Sequence, residues 1–482
     1  MAAILVVVAT ACTRGSTSAA KQTPSGSPAQ AAIVWTACGN GFQCGSLTVP
    51  LDYSHPDGDT IKLALIRKRA TDQSHRVGSV LTNPGGPGAS GIDYLKQIAA
   101  TMSDVNKTFD LVSWDPRGVG QSAPVRCLTA AQEDVYNALD SVLDDPVEKA
   151  AAIQADKDFA AGCQSMSGKL LPFVGTENTV RDLDRIRAAL GDSKLTFLGF
   201  SYGTYIGEWY AHLFPTHVRA LALDGVIDPA TSPNDMILDQ VRGLQGNLEA
   251  FAADCKTKST CTVGRSGDVV AKITNFLQSL DTTPMQVGDR QLTRALALYG
   301  IGVTLYDRAG WPYLDQGLSA ALSGNGRLLL AFSDLYLGRQ ANGTYDNETD
   351  SNVAINCDDR AVPTDIATYD ALGPAFAQAS PVFGPTLQYA NLTCAYWPVT
   401  PTPQTSLTVD GAPPILLVAG THDPITPLKW AQGAQAELAG SVLLQRDGYG
   451  HTSYGSSQCA QEAVDAYLIQ LKVPAAGTVC SS

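Results

Sequence analysis

The chain has 482 residues, of which 44% are hydrophobic and 16% are charged, a composition typical of a large globular protein rather than a disordered one. Its 46 acidic and 33 basic side chains give a formal net charge of −13. Because a protein that binds nucleic acid needs a basic surface to neutralise phosphates, this charge argues against nucleic acid as a partner.

The first 34 residues differ in composition from the rest. Residues 2–11 form an apolar run that is too short to span a bilayer, small residues precede Cys12, and residues 13–30 are rich in Ser, Thr, Gln and Pro. We interpret residues 1–34 as an export signal followed by a linker. Two alternatives stay open, a lipid anchor at Cys12 or an ordinary cleaved secretion signal, and both predict a protein that is secreted or attached to the cell surface.

The cysteines also indicate export. Apart from Cys12 there are ten, an even number, which is typical of disulfides formed in an oxidising compartment. Close spacing predicts local bridges between Cys38 and Cys44 and between Cys255 and Cys261. The sequence contains no Cys-x-x-Cys and no histidine at ligand spacing, so it does not indicate a metal site.

Short apolar runs dominate the first half of the chain and return near its end. Residues 44–53 and 60–70 flank a turn-rich segment and predict an N-terminal hairpin. The later runs each end in glycine or a polar turn, and helical patterns lie between several of them, such as residues 179–190 with Gly191 placed to end the helix. Buried strands that alternate with helices predict an α/β fold with a mostly parallel sheet covered on both faces.

One connection is far longer than a crossover between strands requires. It runs from Val226 to Pro413 and is rich in helical patterns. We interpret it as a helical cap inserted into the sheet domain, which predicts a core over residues 35–228 and 411–482 and a cap over residues 229–410. The predicted helices of the cap cover residues 235–255, 269–280, 293–307, 314–322 and 327–337.

The pentapeptide GFSYG places Ser201 between two glycines, after a predicted strand and before a predicted helix. On such a sharp turn, side chains at the flanking positions would clash, and the hydroxyl projects above the sheet. The N–H of Tyr202 would then lie at a helix N-terminus, where it can bind an anion. The alternative is a polar residue in an ordinary glycine-rich loop.

A serine nucleophile needs a base and an acid. Of the six histidines, four are placed before Ser201 or toward the opposite end of the sheet, namely His55, His75, His212 and His217. His451 follows the last strand in GYGHTS and is the predicted base, whereas His422 is read as structural.

Asp423 follows the strand before that of His451, and it is the predicted acid. Its rival is Asp224, which also ends a strand. The order Ser, Asp, His expected of a serine hydrolase on this kind of sheet favours Asp423.

The anion site needs a second N–H besides that of Tyr202. The loop TNPGGPGASG over residues 82–91 has four glycines in ten residues, and Gly86 is the candidate donor. A nucleotide-binding interpretation fails, because the loop has neither G-x-G-x-x-G nor a Walker lysine.

Taken together, these motifs resemble the prolyl-iminopeptidase-like α/β-hydrolases, especially their secreted tripeptidyl-aminopeptidase branch in actinobacteria. The resemblance covers residues 35–459 and rests on NPGGPG, WDPRGVGQS, GFSYGTYIG, LDGVIDP, GTHDPITP and GYGHTS. It implies an α/β-hydrolase fold and release of short peptides from free N-termini, with the cap limiting how much chain enters. Asp115 and Arg117 of the second motif are expected to form a structural ion pair with each other.

An aminopeptidase needs carboxylates to hold the ammonium group of its substrate. The segment YDNETDSNVAINCDD is read as an acidic loop of the cap, in which Asp359, together with Asp358, is the predicted ammonium site and a disulfide at Cys357 fixes the loop. Asp346, Glu348 and Asp350 are read as solvated acidic residues.

The predicted reaction is acyl transfer by Ser201, His451 and Asp423, with the N–H groups of Gly86 and Tyr202 as the oxyanion hole. No metal ion or organic cofactor is indicated, and the oligomeric state is not predicted. Two alternatives are a carboxylesterase with the same residues and, from another class, a surface binding protein without activity.

Overall fold

The computed structural model describes residues 33–140, 142–265 and 267–481. Cys12 and most of the predicted export signal therefore lie outside the described residues. Within the described ranges the strands are β1 Thr36–Ala37, β2 Phe42–Pro50, β3 Thr60–Lys68, β4 Gly78–Asn83, β5 Phe109–Trp114, β6 Leu195–Phe200, β7 Val218–Asp224, β8 Met285–Val287, β9 Arg290–Leu292, β10 Leu416–His422, β11 Val442–Tyr449 and β12 Val479–Ser481.

The α-helices of the same ranges are α1 Gly91–Ile98, α2 Ala130–Asn137, α3 Pro146–Ser167, α4 Thr176–Ala189, α5 Tyr202–Leu213, α6 Pro233–Thr257, α7 Val269–Thr282, α8 Arg294–Val303, α9 Trp311–Leu322, α10 Arg327–Tyr336, α11 Glu348–Asp359, α12 Ile366–Ala379, α13 Gly384–Leu387, α14 Leu428–Glu437 and α15 Gln458–Gln470. Among these described helices, none is both long and apolar enough to cross a membrane.

Ten of the described strands form one sheet in the order β1-β2-β3-β5-β4-β6-β7-β10-β11-β12. The first three pairings are antiparallel and include the predicted N-terminal hairpin, and all pairings from β5 to β12 are parallel. The prediction of a mostly parallel sheet is confirmed.

Both faces of this sheet are buried, which is why its central strands read as continuous apolar runs. Successive residues point to opposite faces, so Leu81 and Phe197 pack into one hydrophobic cluster, while their neighbours Val80 and Leu198 pack into another. Helices cover the two clusters, as the alternation of strands and helices predicts.

The segment between β7 and β10, here called the cap, contains α6–α13 and the small hairpin of β8 and β9. It has a hydrophobic cluster of its own, built around large side chains such as Phe251, Trp311 and Phe376. The five helices predicted in it are present. The exact domain boundaries stay a prediction.

The acidic segment of the cap is a helix and not the loop that the sequence analysis expected. α11 begins after Asn347 and carries Glu348 and Asp350 in its first turn, where negative charge is favourable. Asp350 is 1% exposed and accepts a hydrogen bond from the N–H of Cys127 at 3.0 Å, so its reading as a solvated residue is wrong.

Five disulfides are present in the described residues. They include the two predicted local bridges and one at Cys357, and the pairs are Cys38–Cys44, Cys127–Cys163, Cys255–Cys261, Cys357–Cys394 and Cys459–Cys480. The Cys357–Cys394 bridge ties the end of α11 to the segment that returns toward the core. Asp315 lies within 4.8 Å of the sulfurs of Cys255 and Cys261, but sulfurs joined in a disulfide are not thiolate ligands for a metal.

Candidate active site

Ser201 lies between β6 and α5 in a strained backbone conformation, with φ 53° and ψ −125°. A Cβ added at Gly199 would lie 2.4 Å from the carbonyl oxygen of Gly203, and one added at Gly203 would lie 2.6 Å from that of Asn83. Both flanking glycines are therefore required by the close packing of the turn. The serine occupies a strand-to-helix elbow of the predicted kind.

Asp423 and His451 are in direct contact. The Nδ1 atom of His451 lies 3.0 Å from both carboxylate oxygens of Asp423. Asp423 also accepts hydrogen bonds from the N–H groups of Ile425, Thr426 and Thr452 at 2.8–3.1 Å, and from the hydroxyl of Thr426 at 3.1 Å. With Nδ1 held by the carboxylate, Nε2 is the ring nitrogen free to accept a proton.

The contact between Asp423 and His451 shifts the pKa of both groups. Burial alone would lower the pKa of His451, but the adjacent Asp423 carboxylate raises it above its ordinary value. Burial likewise opposes ionisation of Asp423, yet His451 and the backbone N–H groups hold the pKa of that carboxyl below its usual range. The arrangement stabilises an imidazolium opposite a carboxylate.

Asp224, the rival acid, is bonded elsewhere. Its carboxylate accepts hydrogen bonds from the N–H groups of Ser453 and Tyr454 at 2.7–3.0 Å, and it is 0% exposed. Its backbone carbonyl accepts the N–H of Ser201 at 2.9 Å. Gly225 follows it, and a Cβ there would lie 3.2 Å from Cε1 of His451. The ends of β6 and β7 thus bring the serine and the histidine to one edge of the sheet.

The other histidines lie away from this edge or have other partners. The ring of His422 stacks on Tyr449 with 4.4 Å between ring centroids, in agreement with its structural reading. The remaining four contact a carboxylate or a carbonyl: His55 with Asp52, His75 with Asp72, His217 with Asp184 and His212 with the oxygen of Thr408.

The glycine-rich loop after β4 lies directly over the serine. A Cβ at Gly85 would be 2.8 Å from the backbone nitrogen of Tyr202 and 3.0 Å from Cβ of Ser201. In the part of the chain that the structure describes, neither the N–H of Gly86 nor that of Tyr202 is paired with an acceptor. The two predicted donors therefore have no acceptor within the described protein, and Gly85 packs the loop against Ser201.

The cap contacts the site on two sides. The side chain of Asn352 in α11 donates to the carbonyl of Pro87 at 2.9 Å, next to the glycine-rich loop. On the other side, the carbonyl of Tyr306 accepts the N–H of His451 at 2.6 Å, and the two rings meet edge to face at 5.9 Å. The cap therefore contacts both the glycine-rich loop and the loop that carries His451.

Asp358 and Asp359, at the end of α11, are buried, with 4% and 7% exposure. The carboxylate of Asp359 accepts the N–H and the hydroxyl of Thr176 at 2.8 and 2.5 Å, and that hydroxyl also bonds the phenol of Tyr202. Asp358 accepts the indole N–H of Trp397 at 2.9 Å. Burial raises the pKa of Asp358 to about 8 and that of Asp359 to about 6.

The sequence analysis read Glu348 as a solvated acidic residue, and its side chain is exposed. Its carbonyl oxygen would lie 2.6 Å from a Cβ at Gly88. Burial raises the pKa of Tyr306 to about 12, and the charge of Glu348 acts in the same direction, so the carboxylate lies near the ring that contacts His451. Its place in the first turn of a helix that packs on the glycine-rich loop is visible only once α11 is recognised as a helix.

The expected ion pair between Asp115 and Arg117 is wrong. Arg117 makes a two-pronged contact with Asp182 of α4 at 2.7 and 2.8 Å. Asp115 instead accepts hydrogen bonds from Ser90, Ile92 and Gln121. Both side chains are fully buried, and both have structural roles below the site.

Comparison with known proteins places these features in a family. Residues 78–266 match the family model described as "alpha/beta hydrolase fold", and residues 380–480 match the one described as "TAP-like protein". The chain is 39% identical over 479 residues to "Serine protease Hip1" of Mycobacterium tuberculosis, covering 93% of this chain and 91% of that protein. It is 36% identical over 457 residues to "Carboxylesterase B" of the same species, covering 91% and 86%.

A third relative is "Tripeptidyl aminopeptidase" of Streptomyces lividans, 32% identical over 474 residues, covering 94% of this chain and 87% of that protein. Among solved structures, proline iminopeptidase of Mycobacterium smegmatis covers 88% of this chain and 98% of its own at 15% identity, with a TM-score of 0.38. The assignment rests on the sequence matches and not on that score. The chain belongs to the TAP-like branch of the α/β-hydrolase family and is a serine hydrolase.

Proposed function

We propose that this hydrolase is an exported exopeptidase that removes short peptides, of three residues, from the free N-terminus of polypeptides. Ser201 is the nucleophile, His451 the general base and acid, and Asp423 the residue that orients and stabilises the imidazolium. The observation that carries the proposal is the position of the cap, which contacts the glycine-rich loop through Asn352 and the loop of His451 through Tyr306. Such a covered site admits a chain end more readily than an internal segment of a folded protein.

The proposed reaction has two steps. The hydroxyl of Ser201 attacks the carbonyl carbon of the scissile bond while Nε2 of His451 takes its proton, and the oxyanion forms between the N–H groups of Gly86 and Tyr202. His451 then gives the proton to the departing amine. In the second step water attacks the acyl-enzyme with the same base, which releases the peptide and restores Ser201.

Recognition of the free N-terminus requires a carboxylate that a substrate can reach. Glu348 meets this need, because it is exposed beside Tyr306, whereas the oxygens of Asp359 are bonded to Thr176. We assign the ammonium contact to Glu348. The prediction that Asp359 makes that contact is tested by the same assay.

The pH dependence of this contact follows from the two groups that form it. Burial of its carboxyl group, and secondly the charge of Asp346, raise the pKa of Glu348 to about 7, and a peptide amine has a pKa of about 7.7–8.0. The carboxylate is charged above the first value and the ammonium below the second. The preference for free over N-acetylated substrates should therefore be greatest between about pH 7 and pH 8 and should fall on both sides.

The test compares peptide anilides of one to four residues, each with a free and an acetylated N-terminus. We expect the free tripeptide to have the highest kcat/KM. We expect Glu348→Gln to lower the ratio of kcat/KM for free over acetylated substrate roughly ten- to a hundredfold, as loss of a hydrogen bond to a charged group implies. Asp57→Asn, at an exposed turn position, is the matched control. Equal turnover of acetylated and free substrates would exclude the exopeptidase assignment, and loss of the preference in Asp359→Asn alone would place the ammonium at Asp359.

The relative named carboxylesterase keeps an esterase as the second candidate function. Peptide and ester hydrolysis use the same nucleophile, base and oxyanion donors, so the substrate decides between them. Higher kcat/KM on simple acyl esters than on any free peptide anilide would favour the esterase.

Export is supported by the five disulfides, since such bonds persist in oxidising compartments. Mass spectrometry of the N-terminal peptide of the protein recovered from its native host decides between the two forms of export. A diacylglyceryl group on Cys12 would show a lipid anchor, and an unmodified cleaved terminus would show plain secretion.

A further inference from the structure

Two buried groups of opposite charge contact the loop that carries His451. This segment, residues 449–454, begins at the last residue of β11 and is here called the base loop. Asp224 at the end of β7 accepts the N–H groups of Ser453 and Tyr454. Arg446 in β11 donates to the carbonyl oxygens of Tyr449 and Gly450 at 3.1 and 2.7 Å. The two charges therefore hold the loop through its donors on one side of His451 and its acceptors on the other.

Both groups are nearly inaccessible, with Asp224 at 0% and Arg446 at 3% exposure. Within the described residues, no carboxylate lies within 4 Å of the Arg446 guanidinium, and no basic side chain lies that close to Asp224. Burying an ion away from water is costly unless polar groups replace the water. Here the base loop supplies those groups.

We propose that Asp224 and Arg446 are positioning residues that together fix the base loop and thereby the orientation of His451 toward Ser201. Asp224 links Ser201 to the loop of His451. Its backbone carbonyl accepts the N–H of Ser201, and its carboxylate accepts N–H groups of the base loop. The proposal rests on the proposed catalytic roles of Ser201 and His451.

The two charges act on His451 in opposite directions. The histidine faces Asp423 at Nδ1, Tyr306 across its ring, and Asp224 and Arg446 through the base loop. After burial and Asp423, the negative charge of Asp224 raises the pKa of His451, and the positive charge of Arg446 lowers it.

Two further titratable groups, Tyr94 and Glu348, lie near Asp224 and Tyr306, respectively. Tyr94 of α1 faces Asp224, and its phenol is neutral because burial first, and Asp224 second, raise its pKa. The charge of Glu348 raises the pKa of Tyr306, whose ring contacts that of His451. Neither of them donates a hydrogen bond to the base loop in the described structure.

The experiment measures the pH dependence of kcat/KM and of Ser201 labelling by a fluorophosphonate, in the full-length protein. Asp224→Asn should move the acidic limb of both profiles to lower pH, and Arg446→Met should move it to higher pH, each by roughly half a unit, less than the 1–3 units of a charge in direct contact. Both variants should also lower the maximal rate about ten- to a hundredfold, because the base is displaced. Arg446→Lys keeps the positive charge, so it should lower the maximal rate without moving the acidic limb of the pH profiles.

Matched controls are Asp110→Asn and Arg219→Met. Asp110 is a buried carboxylate that accepts the N–H of Ala70, and Arg219 donates to the carbonyl oxygens of Leu468 and Ile469. These two control substitutions should lower thermal stability and leave the acidic limb of both pH profiles in place.

The proposal would be overturned if Asp224→Asn and Arg446→Met moved the acidic limb of the pH profiles in the same direction. It would also be overturned if both variants lost rate without moving that limb. If Asp224→Asn does not fold, the contrast between Arg446→Met and Arg446→Lys decides alone. His451→Ala separates this proposal from the proposed function. Full activity in that variant would refute the triad. If that variant is inactive while Asp224→Asn and Arg446→Met leave the pH profiles unshifted, only the positioning role of Asp224 and Arg446 is refuted.

Discussion

Gly85 is the position where the packing of the glycine-rich loop against Ser201, the proposed nucleophile, can be tested most directly. In Gly85→Ala the new Cβ would lie 2.5 Å from the carbonyl oxygen of Phe200 and 2.8 Å from the nitrogen of Tyr202, and both atoms belong to the backbone. Relief of such a contact requires the loop and the elbow to move apart. The φ of +96° adds strain for any residue with a Cβ.

The expected magnitude follows from these two costs. Left-handed strain costs about 1–2 kcal/mol and overpacking about 1–3 kcal/mol, so the free energy of unfolding should fall by about 2–5 kcal/mol. For a chain of 482 residues, an unfolding entropy of about 2.1 cal/mol/K per residue converts this loss to a Tm decrease of about 2–5 °C. Displacement of one oxyanion donor should lower kcat about a hundred- to a thousandfold.

Gly191→Ala provides the matched control. Its φ is +82°, and nothing lies within 4 Å of the added Cβ, so it carries the backbone strain without the steric contact. Tm by scanning calorimetry and kcat on the preferred anilide should show a small loss of stability and unchanged turnover in the control. If Gly85→Ala retains kcat within threefold of the wild-type value, the loop does not supply the oxyanion site.

Two further variants probe the groups around the nucleophile. Glu208 on α5 is 0% exposed, and burial raises its pKa well above the ordinary value, so folding binds a proton and wild-type stability declines as pH rises through and beyond the unfolded-state pKa of about 4.3. Glu208→Gln should remove this decline, so that its Tm relative to wild type increases from pH 5 to pH 8; a constant difference would contradict a buried proton. Thr426→Val removes the hydroxyl bond to Asp423 and the 3.3 Å contact to Nδ1 of His451, and kcat should fall roughly tenfold at unchanged KM. The control is Thr421→Val, at a half-buried position whose hydroxyl bonds Asp447 and the N–H of Gly448, and it should leave kcat unchanged.

Most of the sheet could be predicted from the sequence because its strands are buried on both faces. A strand such as β4, in which every residue is buried, reads as an apolar run that ends at a turn, and the turns carry the glycines and polar residues of the site. The order of Ser201, Asp423 and His451 along the chain then placed all three at the edge where parallel strands end.

α11 could not be predicted in the same way, because most of its buried residues are polar. Asn347, Asp350 and Ser351 are buried, and they bond backbone groups of the core such as the carbonyl of Gly118. Hydrophobic periodicity does not detect a face of this kind. The partner of Arg117 was missed for a similar reason, since Asp182 lies 65 residues away on a helix whose position only the fold determines.

The hydrogen bonds between α11 and the core have a consequence for how this protein unfolds and loses activity. Asn347 holds Gly118 and Gly120, and Asn352 holds Pro87 beside the oxyanion loop, so the cap cannot detach without releasing the loop that the reaction needs. Melting of the cap and loss of the active site are then a single event, seen in calorimetry as one transition that coincides with loss of activity. A damaged or partly unfolded copy is switched off rather than left as an uncovered protease among other proteins.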